Sequence, residues 1–252
     1  MLRRVGLVLV LVLAAVVVAG FVVLKQRSVS HHPAATGAGD PAQPDEILVG
    51  LEKLDPTTWV RRHLPDATSP GYNLVLYRRR VPMILDMNGH IVHSWPEVRV
   101  VGRARLSRDG RLVVIGTDNL VKEYDWEGRL TWQHRLPGDG DFPHHDLIQL
   151  DNDNYLIVAR DADNYADYLQ EVGPETGVVW EWRSFDHQQV FPDWNSKSKD
   201  PMHINSVFEL PPNRWYDSGD GRFRPGNILV SARTINTIFI IDKASDEVVW
   251  QY

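Results

Sequence analysis

The chain has 252 residues, 43% of them hydrophobic and 10% aromatic, a composition typical of a folded protein rather than a disordered one. It contains no cysteine, which excludes disulfides, a thiol nucleophile and a zinc site built on thiolates. The net charge is −6 and is unevenly distributed. Residues 1–27 carry four basic and no acidic side chains, and the rest of the chain carries 23 basic and 33 acidic ones. An acidic body without a long basic run argues against nucleic acid as a partner.

The first predicted element is a membrane segment. Nineteen residues without a polar side chain run from Gly6 to Leu24, and as a helix they would measure roughly 28 Å, close to the hydrocarbon thickness of a bilayer. Arg3 and Arg4 precede them, as in an export signal, but no clean small-residue cleavage site follows. We predict an uncleaved signal-anchor over residues 1–27, with a cleaved signal peptide as the alternative.

A flexible linker is predicted next. Residues 28–45 (SVSHHPAATGAGDPAQPD) are small and rich in Pro, Gly and Ala, and they lack aliphatic periodicity. His31 and His32 could in principle bind a metal, but adjacent histidines in such a segment are usually solvated, and we predict no metal site. The folded domain is therefore expected to occupy residues 46–252.

From about Tyr72 onward the chain contains four related segments, each ending in a tryptophan. Each has an apolar, β-branched strand, a polar turn, a second strand, a tight turn with Gly or Asp, and a short third strand. Asn88-Gly89 and Glu127-Gly128 supply the positive φ that short hairpins require. The segments end at Trp95, Trp132, Trp180 and Trp250.

The tryptophan spacings of 37, 48 and 70 residues point to blade-type repeats, which run about 40–50 residues. The last spacing requires an insertion, and Pro211–Gly226, rich in turn residues, is the predicted one. We predict an all-β chain, a β-propeller with about four blades, in which the tryptophans pack between blades. The last repeat ends at Tyr252 and lacks the change of sequence by which terminal repeats are usually capped. We therefore expect this chain to be the N-terminal part of a longer protein.

Three motifs lie where strands begin or end, and the innermost strands of a propeller bring such positions together at its channel. They are Phe142–Asp146, Met202–Val207 and Ser231–Thr234. Singly, each is compatible with an ordinary turn or a surface residue. Together, histidines and an arginine at one channel form an anion site, because guanidinium donors match sulfate or phosphate oxygens and imidazole can donate protons or act as a nucleophile.

At these motifs the sequence resembles the bacterial arylsulfotransferase family. The His144-His145-Asp146 motif, the H-x-N-S motif of His203–Ser206 and the S-x-R motif of Ser231–Arg233 occur in the family's order, and the similarity covers roughly Asp45 to Tyr252. The resemblance implies a six-bladed propeller exported to the periplasm. It also implies transfer of a sulfuryl group from an aryl sulfate to a phenol through a transiently sulfated histidine, with no cofactor, since members use no nucleotide sulfate donor.

The same resemblance implies roles for individual residues. His203 and Arg233 would hold the sulfuryl oxygens together with His144 or His145; we favour His145, which adjoins the aspartate, although the motif does not decide. Asn205 and Ser231, inside the same motifs, are predicted to bind substrate. The family's nucleophilic histidine lies in a later blade and no residue here matches it, so this sequence alone is expected to lack turnover.

The predicted protein is thus a single-pass inner-membrane sulfotransferase, with its propeller on the periplasmic or extracellular side and small aryl sulfates and phenols as partners. The alternative is a membrane-anchored, non-catalytic propeller that binds a ligand or a protein at its channel mouth.

Overall fold

Fifteen β-strands are the main regular elements of the described part of the chain, which comprises Val60 and residues 63–252 of a computed structural model. The predicted signal-anchor and linker lie outside the described residues. The strands are β1 (Asn73–Tyr77), β2 (Val81–Leu85), β3 (Ile91–Ser94), β4 (Val100–Leu106), β5 (Leu112–Gly116), β6 (Val121–Tyr124), β7 (Leu130–His134), β8 (Phe142–Gln149), β9 (Tyr155–Arg160), β10 (Asp167–Gly173), β11 (Gly177–Arg183), β12 (Ile204–Glu209), β13 (Ile228–Ala232), β14 (Thr237–Ile241) and β15 (Val248–Gln251).

The strands form four antiparallel sheets, each a meander of strands consecutive in sequence. Blade 1 is β1–β3, blade 2 is β4–β7, blade 3 is β8–β11 and blade 4 is β12–β15. The innermost strands β4, β8 and β12 contact one another in turn, so the blades follow one another around a common inner edge. The prediction of an all-β chain with about four blades is confirmed.

Local sequence explains these elements. The strand β5 (LVVIG) is buried at every position because its two faces pack against the two neighbouring blades. The strand β2 (VPMIL) is equally buried, with one face against blade 2 and the other against residues of its own sheet. The hairpin after β2 turns at Gly89 and the hairpin between β6 and β7 turns at Gly128, and their φ values of 89° and 80° lie in the region that favours glycine. The continuous apolar runs and the glycine turns therefore set the blade pattern.

Tryptophans tie each blade to the next, as predicted. Trp95 is buried and donates its indole N–H to the carbonyl oxygen of Asp125 in blade 2, at 2.9 Å. Trp182 does the same from blade 3, donating to the carbonyl oxygen of Asp246 in blade 4 at 3.1 Å. Trp180 is only partly buried and reaches the Asp246 carboxylate at 2.7 Å. The buried anchor of blade 3 is therefore Trp182, two residues after the tryptophan that ends the repeat.

The insertion Pro211–Gly226 connects β12 to β13 and holds the short helix α1 (Arg214–Asp217) and a 3-10 turn at Gly221–Phe223. The Asn213 side chain caps α1 by accepting a hydrogen bond from the Tyr216 backbone N–H, at 3.1 Å. A second long connection, which includes a 3-10 helix at Ser184–Val190, joins blades 3 and 4. Between Val60 and Tyr252, no described helix is long and apolar enough to cross a membrane.

Candidate functional site

The predicted histidines lie where the innermost strands of blades 3 and 4 begin. His144 and His145 are in β8, within a register shift between Pro143 and Leu147 that leaves extra residues opposite β9. His203 directly precedes β12, next to a similar shift. His145 and His203 both have φ of 55°, a left-handed conformation that is uncommon for residues other than glycine. The bulges re-aim both side chains out of the ladder, a device often found beside functional sites.

The three imidazoles converge. The ring centroids of His145 and His203 are 4.5 Å apart, those of His144 and His145 are 5.1 Å apart, and those of His144 and His203 are 6.3 Å apart. Two blades thus contribute to one cluster, as the motif positions predicted. We call these three residues the histidine cluster.

His144 is held by a buried carboxylate, Asp167, at the start of β10. The His144 Nε2 lies 3.0 Å from Asp167 Oδ1, and the Arg160 Nε donates to the same oxygen at 2.9 Å, while Oδ2 accepts from the Ile204 backbone N–H of blade 4. Desolvation by burial favours the neutral acid, but the hydrogen bond and charge of His144 and the charge of Arg160 lower the pKa of Asp167 overall. An ionised Asp167 accepts hydrogen bonds only, so Nε2 of His144 is the donor and Nδ1 is the nitrogen left for a ligand.

Asp200 connects the other two predicted groups. Its carboxylate pairs with His203 Nδ1 and with the Arg160 guanidinium, and it accepts from Arg233 Nη2 at 3.2 Å. Because Nδ1 of His203 donates to this carboxylate, Nε2 is the nitrogen left for a ligand. Arg233 is 59% exposed in its side chain, so most of its donors face solvent.

The imidazole of His145 makes no hydrogen bond to any described residue, whereas those of His144 and His203 do. Partial burial of the ring and the adjacent His144 and His203 imidazoles lower the pKa of His145 to about 4. The residue still has an exposed edge. At neutral pH His145 is therefore an uncharged imidazole with one donor and one acceptor nitrogen available to a ligand.

The two predicted substrate-binding residues lie outside this hydrogen-bond network. Asn205 is the extra, exposed residue at the register shift of β12. Ser231 is half-buried in β13 and pairs with Ser206. Because side chains alternate along a strand, Ser231 lies on the face opposite Val230 and Ala232, which pack in the core shared with blade 3.

Sequence reasoning missed Arg160, Asp167 and Asp200. Arg160 could have been found, because YLIVAR (155–160) and ILVSAR (228–233) occupy the same place in their blades, and Arg160 is thus the repeat counterpart of Arg233. The aspartates carry no comparable signal, since each acquires its role only when blades 3 and 4 meet.

Other concave surfaces lie apart from the cluster. A cleft of about 280 Å³ is lined by Arg108, Arg111 and Glu123, among others, and one of about 350 Å³ by the 118–119 turn and the 135–141 segment. Neither includes a histidine of the cluster. Within the described residues, no group of three or more histidine or carboxylate side chains is arranged to hold a metal ion.

Comparisons with solved structures find similar chains of low identity. A protein of unknown function from Bacteroides caccae matches with a TM-score of 0.45 and 14% identity, over 69% of this chain and 54% of that one. BamB from Moraxella catarrhalis matches with a TM-score of 0.41 and 16% identity, over 71% and 49%. The β-propeller domain of Myceliophteria thermophila Cps50 (Swd1) matches with a TM-score of 0.38 and 13% identity, over 68% and 48%. The chain spans about half the length of these structures.

Sequence comparison identifies a family. A search of curated proteins finds no match. The family model described as Arylsulfotransferase (ASST) matches residues 63–252, which is well over half of the chain and takes in all three motifs together with Arg160, Asp167 and Asp200. On that match, the chain belongs to the arylsulfotransferase family.

Proposed function

We propose that the histidine cluster and Arg233 bind the sulfuryl group of an aryl sulfate during its transfer to a phenolic acceptor. The observation that carries this proposal is the convergence of three imidazoles from two blades, with centroids 4.5 to 6.3 Å apart, and an exposed guanidinium fixed beside them through Asp200. The motifs belong to a family whose described activity is arylsulfotransfer. The complete propeller is proposed to have six blades.

The proposed reaction proceeds in two transfers. A histidine nitrogen attacks sulfur, the S–O bond to the aryl group breaks, and the phenol leaves after taking a proton. The acceptor phenol then attacks sulfur, its proton passes to a base, and the N–S bond breaks to return the free histidine. We propose, from the family resemblance, that this histidine belongs to a later blade and is none of His144, His145 and His203.

The described residues would stabilise the charge that builds on the sulfuryl oxygens in both transfers. Arg233 offers a planar set of N–H donors, and His203 offers Nε2 because Asp200 occupies its Nδ1. His145 is uncharged at neutral pH and can donate one further hydrogen bond. Donors fixed before the reaction are effective because they need no reorganisation in the transition state.

We further propose that the domain works on the periplasmic side of the inner membrane, held by the segment Gly6–Leu24. The support is the length and apolar character of that segment and the two arginines before it. N-terminal sequencing of exported protein tests the anchor, since a first residue after about position 25 would show cleavage.

The transfer proposal is tested on the complete gene product with a chromogenic aryl sulfate as donor and a phenol as acceptor. We expect His203→Asn and Arg233→Gln each to lower the transfer rate by roughly 10²-fold or more, as loss of a transition-state donor does elsewhere. Arg224→Gln is the matched control, because Arg224 is an exposed arginine of the insertion at the other end of blade 4. Transfer that is absent from the wild type, or unchanged in both site variants, would refute the proposal.

A further inference from the structure

Two arginines of blade 2 meet one buried aspartate of blade 3. The Arg103 Nε donates to Asp146 Oδ1 at 2.9 Å, and the Arg105 Nη2 donates to the same oxygen at 2.8 Å. Asp146 is fully buried, and its carboxylate also accepts from the backbone N–H groups of Leu147 and Val207. Asp146 therefore joins three blades, while the arginines that neutralise it remain about 40% exposed.

These arginines lie level with the histidine cluster. In each of blades 2, 3 and 4, one backbone hydrogen bond lies where the innermost strand turns into the next strand, and this bond can be used to compare positions along the three innermost strands. The bonds run from the N–H of Ser107 to the carbonyl oxygen of Arg111, from Leu150 to Asn154 and from Leu210 to Asn227. Four residues before each donor stand Arg103, Asp146 and Ser206. Asp146 directly follows His145 in β8, so Arg103 on the neighbouring blade contacts the residue next to the cluster. Arg105 is two residues further along the same strand and on the same face.

Both guanidiniums have more N–H donors than their bonds to Asp146 use. A guanidinium carries five N–H donors, and Arg103 commits only its Nε to a described residue. Its Nη groups bond to no described residue and can therefore donate to an anion. One arginine is enough to balance the charge of Asp146, which leaves the second as excess positive charge at this position.

The charge balance of the cluster shows where that excess is needed. Arg160 and Arg233 are matched one for one by Asp167 and Asp200. Apart from its imidazoles, the network around the cluster therefore carries no net charge, although it is proposed to bind a sulfate ester. The two arginines on Asp146 carry one positive charge more than that carboxylate, and Asp146 directly follows His145 in β8.

We propose that Arg103 and Arg105 form a second oxyanion-binding subsite, which binds a sulfate-class anion next to the histidine cluster and supplies its net positive charge. Asp146 acts as a positioning residue that fixes both guanidiniums. The inference rests on the proposed function for the identity of the anion as a sulfate ester; the subsite itself rests on the arginine geometry and the charge balance.

The test is equilibrium dialysis of the full chain, in mild detergent at pH 7 and low ionic strength, against radiolabelled inorganic sulfate. We expect Arg103→Gln to weaken sulfate binding roughly tenfold or more, the effect of losing a charge-assisted hydrogen bond. Arg108→Gln is the matched control, since Arg108 bonds to Asp151 and Asp153 at the opposite end of the blade and should bind sulfate like the wild type. Wild-type affinity in a folded Arg103→Gln protein would overturn the subsite.

Two further measurements keep the outcomes separate. If Arg233→Gln weakens sulfate binding while Arg103→Gln does not, the proposed subsite is wrong and the proposed function stands. If Arg103→Gln weakens sulfate binding while Arg233→Gln does not, the subsite stands and the proposed role of Arg233 is wrong. Should Arg103→Gln unfold, the side-chain ¹⁵N resonances of Arg103 in the wild type are followed during a sulfate titration. We expect them to shift with the binding curve, and resonances that stay in place, or no sulfate binding by the wild type, would overturn the proposal.

Discussion

Replacing Asp167 with asparagine should destabilise the domain while keeping the shape of the side chain. The substitution removes the negative charge that Arg160 and His144 share, and leaves the nearly buried Arg160 with Asp200 alone. Removing one partner of a buried ion pair costs about 3–5 kcal/mol. Asparagine can still accept from the Ile204 N–H, so we expect the lower end, about 3 kcal/mol, or a melting temperature lower by about 6–12 °C for a domain of this size.

The pH dependence of the Asp167→Asn variant provides the second readout. The folded pKa of Asp167 is lowered, so its ionised form stabilises the fold above the unfolded pKa of about 3.9, and this contribution is lost as the pH falls through the folded value. Thermal unfolding by circular dichroism should therefore differ most between the two proteins at pH 7, and the difference should shrink once the pH falls through the folded pKa of Asp167. Asp163→Asn, an exposed aspartate four residues away, should match the wild type. Equal melting temperatures of wild type and Asp167→Asn at pH 7 would refute the argument.

Two other predictions concern a blade anchor and the free histidine. Trp182→Phe removes the N–H that bonds to Asp246 and leaves a gap, so urea unfolding should show a loss of about 1–3 kcal/mol, against about 0.5 kcal/mol or less for the exposed Trp126→Phe. The His145 imidazole should titrate by NMR near pH 4, and because the unfolded chain binds this proton at about 6.5, stability should fall as the pH drops from 6.5 to 4. In His145→Asn that decline should be shallower; a wild-type midpoint near 6.5 would contradict the lowered pKa.

The blades could be predicted because each one is encoded locally. A strand such as Leu112–Gly116 needs only its own apolar run, and a hairpin such as the one at Gly128 needs only its own glycine. The apolar run recurs in each repeat, and so does the tight turn, with Gly89, Gly128 and Gly177 in the first three and Asp246 in the fourth, so their period indicated the fold. The innermost strands were harder to predict from the sequence. The residues of Val100–Leu106, for example, are partly exposed, and buried and exposed positions do not alternate clearly along this strand.

The positions of the histidines could be predicted for a related reason, but the residues that hydrogen-bond to them could not. Motifs at the ends of inner strands must converge if the strands line one channel, which located His144, His145 and His203. Asp167, by contrast, begins the third strand of blade 3, and nothing in its neighbourhood along the chain differs from an ordinary strand start. Its partners are fixed by how two blades pack, which local patterns do not record.

Two buried carboxylates beside the histidine cluster also hold the blades together. Asp146 accepts hydrogen bonds from blades 2, 3 and 4, and Asp167 accepts from blades 3 and 4. Since both are buried, a shift of one blade would leave a charged group without its donors, at a cost of several kcal/mol. Such a shift would also release the histidine or the arginine that the carboxylate orients. Precise placement of the proposed anion-binding side chains therefore follows from the same contacts that fix the blades, and the site cannot form before the blade interfaces do.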